Sequence, residues 1–77
     1  MNATIDLKLF ATLVTHAPRD ASQYPITAGM TVADLIELLQ IPSASAKLVF
    51  VDGVRADLKR RLKGGERVGI FPPVGGG

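Results

Sequence analysis

The stretch FPPVGGG, Phe71 to Gly77, holds the one group this chain sets up for chemistry. Pro72 and Pro73 fix φ and favour an extended, polyproline-like segment. Val74 follows, and then Gly75, Gly76 and Gly77 remove every side chain and most steric limits on the backbone. Fully extended, the residues beyond Phe71 reach about 20 Å, enough to thread a narrow tunnel in another protein. The group presented at the end is the Gly77 carboxylate, ionised at neutral pH because its ordinary pKa is about 3.3–3.7. A carboxylate is a poor electrophile. Acyl chemistry requires its activation first, most simply as an acyl-adenylate made with ATP. The chain is then expected to be a substrate whose partner supplies the catalysis. The competing reading is a loose terminus of no consequence. Two prolines in front of the glycines, and glycine alone at the end, argue against it.

Little else in the sequence is equipped to react. There is no cysteine, so neither a disulfide nor a thiolate metal site is available. His16 is the single histidine, sits in a polar stretch and reads as an ordinary surface residue. Without a second histidine or clustered carboxylates no metal site is expected. Ser22, Ser43 and Ser45 have no obvious base beside them. Gly64 and Gly65 lack the surrounding pattern of a phosphate loop. The expectation is a protein that is no enzyme by itself and binds no cofactor. The run KRRLK, Lys59 to Lys63, carries four of the nine basic residues. It reads as a solvated turn, with a docking patch for an acidic partner as the alternative. A net charge of +2 is too small to argue for nucleic acid. No apolar run approaches a membrane span, and the start MNATIDLK does not resemble a secretory signal. Cytoplasmic residence, with no membrane or nucleic-acid partner, is the expectation.

The elements that must position the tail follow from periodicity. A chain of 77 residues with 47% hydrophobic residues suits one small domain. TIDLKLFATL, Thr4 to Leu13, alternates as a half-buried strand, with Ile5, Leu7, Leu9 and Ala11 on one face. Val14 to Gln23 is polar, contains Pro18 and reads as a loop. YPIT, Tyr24 to Thr27, is a short strand that Pro25 confines to an edge. TVADLIELLQI, Thr31 to Ile41, is a helix with Thr31 as N-cap, Asp34 completing a capping box and Pro42 as the stop. KLVFV, Lys47 to Val51, is a strand, and Asp52-Gly53 is a strong hairpin signal into a short return strand, Val54 to Ala56. DLKRRL, Asp57 to Leu62, reads as an irregular or 3-10 turn that buries Leu58 and Leu62. ERVGIF, Glu66 to Phe71, is the last strand. This order gives an α+β, β-grasp fold as in ubiquitin. It has a mixed sheet of four to five strands, one main helix on one face and the first and last strands in parallel. The division expected is a domain at 1–71 and a flexible tail at 72–77.

Strand parity adds a surface. Phe10 points away from Ile5, Leu7 and Leu9, and Phe71 points away from Val68 and Ile70. If their strands are neighbours, both rings lie on the sheet face opposite the helix. Phe50 is the third candidate, though LVFV is apolar on both phases. Aromatic residues gathered on one exposed face suggest a partner site.

The β-grasp order, FPPV after the last strand and the closing Gly-Gly resemble the MoaD/ThiS family of ubiquitin-like sulfur carriers. FPPV is most similar to the small subunit of molybdopterin synthase. GMTVADLIELL, VFVDG and LKGGERVGIFPPVGGG carry the likeness over the helix and the C-terminal half, and LKLFATL extends it to the start. The resemblance implies that an E1-like enzyme adenylates Gly77 with ATP and magnesium, and that sulfur transfer then gives a C-terminal thiocarboxylate. It implies a second partner, the large catalytic subunit of molybdopterin synthase or an equivalent acceptor. The product in that branch is the dithiolene that holds molybdenum or tungsten. Two alternatives remain open: a carrier for another pathway such as thiamine, and a ubiquitin-like modifier joined through Gly77 to lysines. A plain binding module with an inert tail is the third reading.

Overall fold

A computed structural model describes residues 2–46 and 48–73. Five strands form one sheet: β1 (Asn2–Leu9), β2 (Tyr24–Thr27), β3 (Leu48–Val51), β4 (Val54–Ala56) and β5 (Arg67–Phe71). One α-helix, α1 (Val32–Leu38), crosses between β2 and β3. The sheet order is β2-β1-β5-β3-β4. β1 and β5 pair in parallel, and every other neighbour pair is antiparallel. The first and last strands therefore lie together at the centre, and β2 with its Pro25 lies at an edge. This is the mixed α+β sheet that the order of elements predicts.

Alternation decides which face is buried. Ile5 and Leu7 of β1, Val49 and Val51 of β3, and Val68 and Ile70 of β5 point to the helix side and are almost fully buried. They pack with Val32, Leu35, Ile36 and Leu39 of the helix region and with Leu13, Ile26, Ile41, Ala46 and Leu62. Burial of these aliphatic side chains is the main favourable term in folding so small a domain.

Four local readings change. Strand β1 starts at Asn2 and ends at Leu9, because Ala11 takes φ 53° and turns the chain. Ala11–His16 is then a 3-10 helix that plants Leu13 in the core, and Ala21–Gln23 is a second 3-10 turn. The helix proper ends at Leu38, short of Ile41. Gln40 adopts φ 60°, its N–H donates to the Glu37 carbonyl at 3.0 Å, and the Ile41 N–H donates to the Ile36 carbonyl at 3.2 Å. That pair of bonds is a Schellman closure, which ends a helix by reversing the backbone at one left-handed residue. Leu58 is also not buried; it is 49% exposed, whereas Leu62 is 0% exposed. The segment 58–62 runs beside the start of α1, where the Arg60 and Leu58 carbonyls accept from the Val32 and Ala33 N–H groups at 2.9 and 3.0 Å. Its backbone thereby satisfies helix donors that lack partners within the helix. Only Leu62, bonded through its N–H to the Met30 carbonyl, turns inward.

The predicted cap is present. The Thr31 hydroxyl accepts from the Asp34 N–H, and the Asp34 carboxylate accepts from the Thr31 N–H, both at 3.1 Å. These bonds with Thr31 hold the Asp34 carboxyl below its ordinary range. Asp52 (φ 53°) and Gly53 (φ 81°) make the tight turn between β3 and β4.

Candidate functional site

The sheet face opposite the helix is built from the odd residues of β5. Arg67, Gly69 and Phe71 point outward because Val68 and Ile70 point in. Register carries this face across the sheet, since directly paired residues share a side. Lys8 pairs with Gly69 and Asp6 with Arg67 on the β1 side. Phe50 pairs with Gly69 and Leu48 with Phe71 on the β3 side. Arg55 of β4 pairs with Phe50. The phase of Phe50, which LVFV leaves open, is thus outward.

Phe10 sits just beyond the end of β1, held by its N–H to the Ile70 carbonyl at 3.2 Å. Its ring stacks on Phe71 with centroids 4.1 Å apart and planes 1° from parallel. Phe50 meets Phe71 edge to face at 5.7 Å and 81°. The structure brings all three predicted aromatics together. Phe10 is 36% exposed, and Phe50 and Phe71 are half-buried. Gly69 lies under the rings: a Cβ there would stand 3.2 Å from the Phe10 ring, tight enough that the ring would have to shift by a few tenths of an ångström. A glycine inside a strand is the sequence signal for such close approach, and periodicity alone does not pick it out.

Between the rings lies a hollow of about 270 Å³, bordered by Lys8, Phe10, Phe50, Arg67, Gly69 and Phe71. Pro72 and Pro73 leave β5 directly from Phe71, with Pro72 half-buried and Pro73 exposed. The predicted tail residues Val74, Gly75, Gly76 and Gly77 lie outside the described residues. Among the described residues no group of three or more histidine, aspartate or glutamate side chains is placed to hold a metal ion.

The loop that feeds β5 contains a buried carboxylate that periodicity also passes over. Glu66 is 8% exposed. Its carboxylate accepts from the Lys63 and Gly64 N–H groups, each at 2.7 Å. Burial pushes the Glu66 carboxyl up, and so does the charge of Asp52. The amide donors of Lys63, Gly64 and Glu66 itself outweigh both and hold it below its ordinary 4.5. Gly64 is required here: its φ is 126°, and a Cβ would come within 2.6 Å of the Ala3 Cβ. The pattern K-G-G-E, with glycines that let two amides converge on one carboxylate, is the signal that could reveal this loop.

A five-stranded mixed sheet holding one helix, with first and last strands central and parallel, defines a β-grasp, ubiquitin-like protein. The ThiS family pattern matches residues 7–77, and the chain belongs to the ThiS family. No curated protein matches it significantly. Several solved structures do. The Haloferax volcanii HVO 2177 protein has a TM-score of 0.78 at 20% identity, over 99% of this chain and 88% of its own, and shares the fold. SAMP1 from Haloferax volcanii gives a TM-score of 0.67 at 25% identity over 97% of this chain and 100% of its own. A Pyrococcus furiosus protein described as molybdopterin converting factor, subunit 1, gives 0.65 at 25% over 94% and 99%. The family is one of small carrier or modifier proteins. No described helix is long and apolar enough to cross a membrane.

Proposed function

We propose that this chain is a sulfur carrier whose Gly77 carboxylate is adenylated and then converted to a thiocarboxylate. In the first step a carboxylate oxygen attacks the α-phosphorus of ATP and pyrophosphate leaves. In the second a sulfide-level nucleophile, hydrosulfide in the simplest case, attacks the carbonyl carbon, AMP leaves with the bonding pair of the acyl–oxygen bond, and loss of the proton from sulfur gives the thiocarboxylate. The carrier then docks on an acceptor enzyme and gives up the sulfur. The pathway that suits FPPV and the Pyrococcus furiosus likeness is molybdopterin synthesis, with a cytoplasmic E1-like enzyme and a synthase large subunit as partners. ATP and magnesium belong to the activating enzyme. The observation that carries the reading is the join of surface and tail. The aromatic face ends on Phe71, and the proline segment starts at the next residue. A partner that grips the face receives the tail at a fixed origin.

The test is the intact mass of the untagged protein after incubation with its E1-like enzyme, ATP and a sulfur source. The expected result is a gain equal to sulfur replacing oxygen, placed on Gly77 by fragmentation. An unchanged mass, with an enzyme shown to be active on another carrier, overturns the reading. The likeness to SAMP1 supports a second reading, a protein modifier conjugated through Gly77. Peptides from cell extracts that carry Gly77 in isopeptide linkage to lysine would establish it. Both readings need the same activated carboxylate.

A further inference from the structure

The outer side of α1 carries Asp34 and Glu37 and no lysine or arginine, although the chain as a whole is cationic. A hollow lies on each flank of the helix. One, of about 320 Å³, is bordered by Ala33, Ile36, Glu37, Ile41 and Leu58. The other, more open and of about 500 Å³, is bordered by Met30, Asp34, Glu37, Leu38 and Gln40. Glu37 stands on the ridge that both share. Leu58 and Leu38, 49% and 54% exposed, give each border an uncovered apolar side chain. Among the described residues no lysine or arginine borders either hollow. Arg61 acts on Asp34 from the segment 58–62, while its guanidinium donates to the Gly29 carbonyl at 3.0 Å. The borders are held by backbone. The Leu58 carbonyl accepts from the Ala33 N–H at 3.0 Å, and beside it the Asp57 carboxylate accepts from the Lys59 N–H at 2.9 Å. Ile41 is fixed by the bond of its N–H to the Ile36 carbonyl. Leu58 is thus carried on a segment that serves the start of α1, and its side chain stays outside the core.

We propose that the outer side of α1 docks a basic amphipathic helix of a partner protein: one apolar side chain enters the hollow beside Leu58, a second covers Leu38, and a lysine or arginine between them pairs with Glu37. A hollow of about 320 Å³ accommodates one large apolar side chain as an anchor. The two hollows flank one helix, so the anchors must stand about a helix diameter apart. Side chains two turns apart on a crossing helix are separated by about 10 Å, which meets that need. The Glu37 pair is exposed, so it selects the partner and its orientation more than it adds affinity. A second copy of this chain is disfavoured here, because a two-fold contact would set Asp34 and Glu37 against their own images. Anionic membranes and nucleic acid are disfavoured by the same carboxylates. This surface faces away from Phe10, Phe50 and Phe71, so a partner that holds the aromatic face and the tail leaves it accessible. The inference goes beyond the carrier reading and does not depend on it.

The experiment titrates the isotopically labelled full chain with a designed amphipathic peptide of leucine and lysine, about four helical turns long, and follows backbone amide resonances at low salt. Saturable shifts are expected at residues 30–41 and 57–59, with Phe10, Phe50, Gly69 and Phe71 unmoved. Leu58→Ser removes an anchor contact and is expected to raise Kd about fivefold. Val54→Ser removes an equally exposed apolar side chain from β4 and is expected to change Kd less than about twofold. Glu37→Lys is expected to raise Kd about tenfold, and Asp20→Lys, the same charge change on an exposed loop, less than about twofold. A peptide with glutamate in place of lysine is expected to leave the spectrum unchanged. Thermal melting confirms that each variant keeps the fold, and Glu37→Lys tests the site if Leu58→Ser does not fold. Four results overturn the proposal: no saturable shifts, shifts centred on Phe10 and Phe71, equal binding of the glutamate peptide, or equal effects of Glu37→Lys and Asp20→Lys. A dimer in sedimentation that Leu58→Ser disperses also overturns it, by giving the surface to a second copy. Neither ATP nor an activating enzyme is present, so the outcome stands apart from thiocarboxylate formation at Gly77.

Discussion

At the scale of single residues, Phe71 is where core, surface and tail meet. Its neighbours in β5, Val68 and Ile70, are fully buried, but Phe71 itself points outward onto Phe10 and Phe50. Truncation therefore removes aromatic contacts without opening a cavity in the core. Phe71→Ala is expected to cost about 1–2 kcal/mol of stability, the scale of two aromatic contacts and partial burial. Affinity for the activating enzyme is expected to fall about tenfold or more, since buried aromatic anchors dominate interfaces. Urea unfolding and a binding titration on the same preparation check both. A domain that no longer folds would make Phe71 a core residue and remove it from the interface. The aromatic pair Phe10 and Phe71 is legible in the sequence because each has aliphatic neighbours of opposite parity. Phe50 is not, since every neighbour in LVFV is apolar, and only its pairing with Gly69 settles its side. Gly69 and Glu66 escape for a related reason. Their roles depend on what lies across the sheet or around a loop, which no local pattern records.

At the scale of elements, the loop from Lys63 to Glu66 aligns β5, and Glu66 holds the loop closed. Asp6 donates its N–H to the Glu66 carbonyl at 2.9 Å, so the same residue also starts the β1–β5 ladder. The Glu66 carboxyl is held below its ordinary 4.5 in the folded chain. A folded pKa that is depressed contributes stability above the unfolded value, and that stability is lost as pH falls through the folded value. The window is therefore the acid side, from about pH 5 downward. Glu66→Gln leaves one amide facing a donor in place of a carboxylate oxygen. It is expected to cost roughly 1–3 kcal/mol at pH 7 and to weaken the loss of stability on going to pH 3. Denaturant melts of both proteins at the two pH values measure this. An equal acid dependence in both would show that Glu66 contributes none of it. The elements themselves are largely legible, because alternation, a capping box and Asp-Gly turn chemistry each act over a few residues. Their ends are less so. The stop of α1 at Leu38 depends on a left-handed Gln40, a conformation that glutamine does not advertise, and the burial expected of Leu58 fails because its segment spends its backbone on the start of α1.

At the scale of the whole molecule, the fold closes by joining its two ends. β5 is the third strand of five in the sheet and the last in the chain, and its partner β1 is the first. No shorter piece can form the centre of the sheet, so the domain is expected to fold as one cooperative unit. Among the described residues the core runs from Ile5 to Ile70, and neither Pro72 nor Pro73 belongs to it. These two facts assign opposite consequences to two truncations. A chain ending at Gly65 lacks β5, loses Val68 and Ile70 from the core and is expected to be unfolded, with no dispersed amide resonances. A chain ending at Gly75 keeps every core residue among those described, and its midpoint in urea is expected to match the full chain within error. With the activating enzyme and ATP, the same Gly75-terminated chain is expected to bind and yet give no thiocarboxylate, because its end no longer reaches the site that Gly77 reaches from Phe71. Binding by calorimetry and intact mass on one sample report the two properties separately. Thiocarboxylate on the shortened chain would mean that reach from the aromatic face does not govern the chemistry. Loss of binding together with the modification would place the docking energy in the last glycines and not on the sheet.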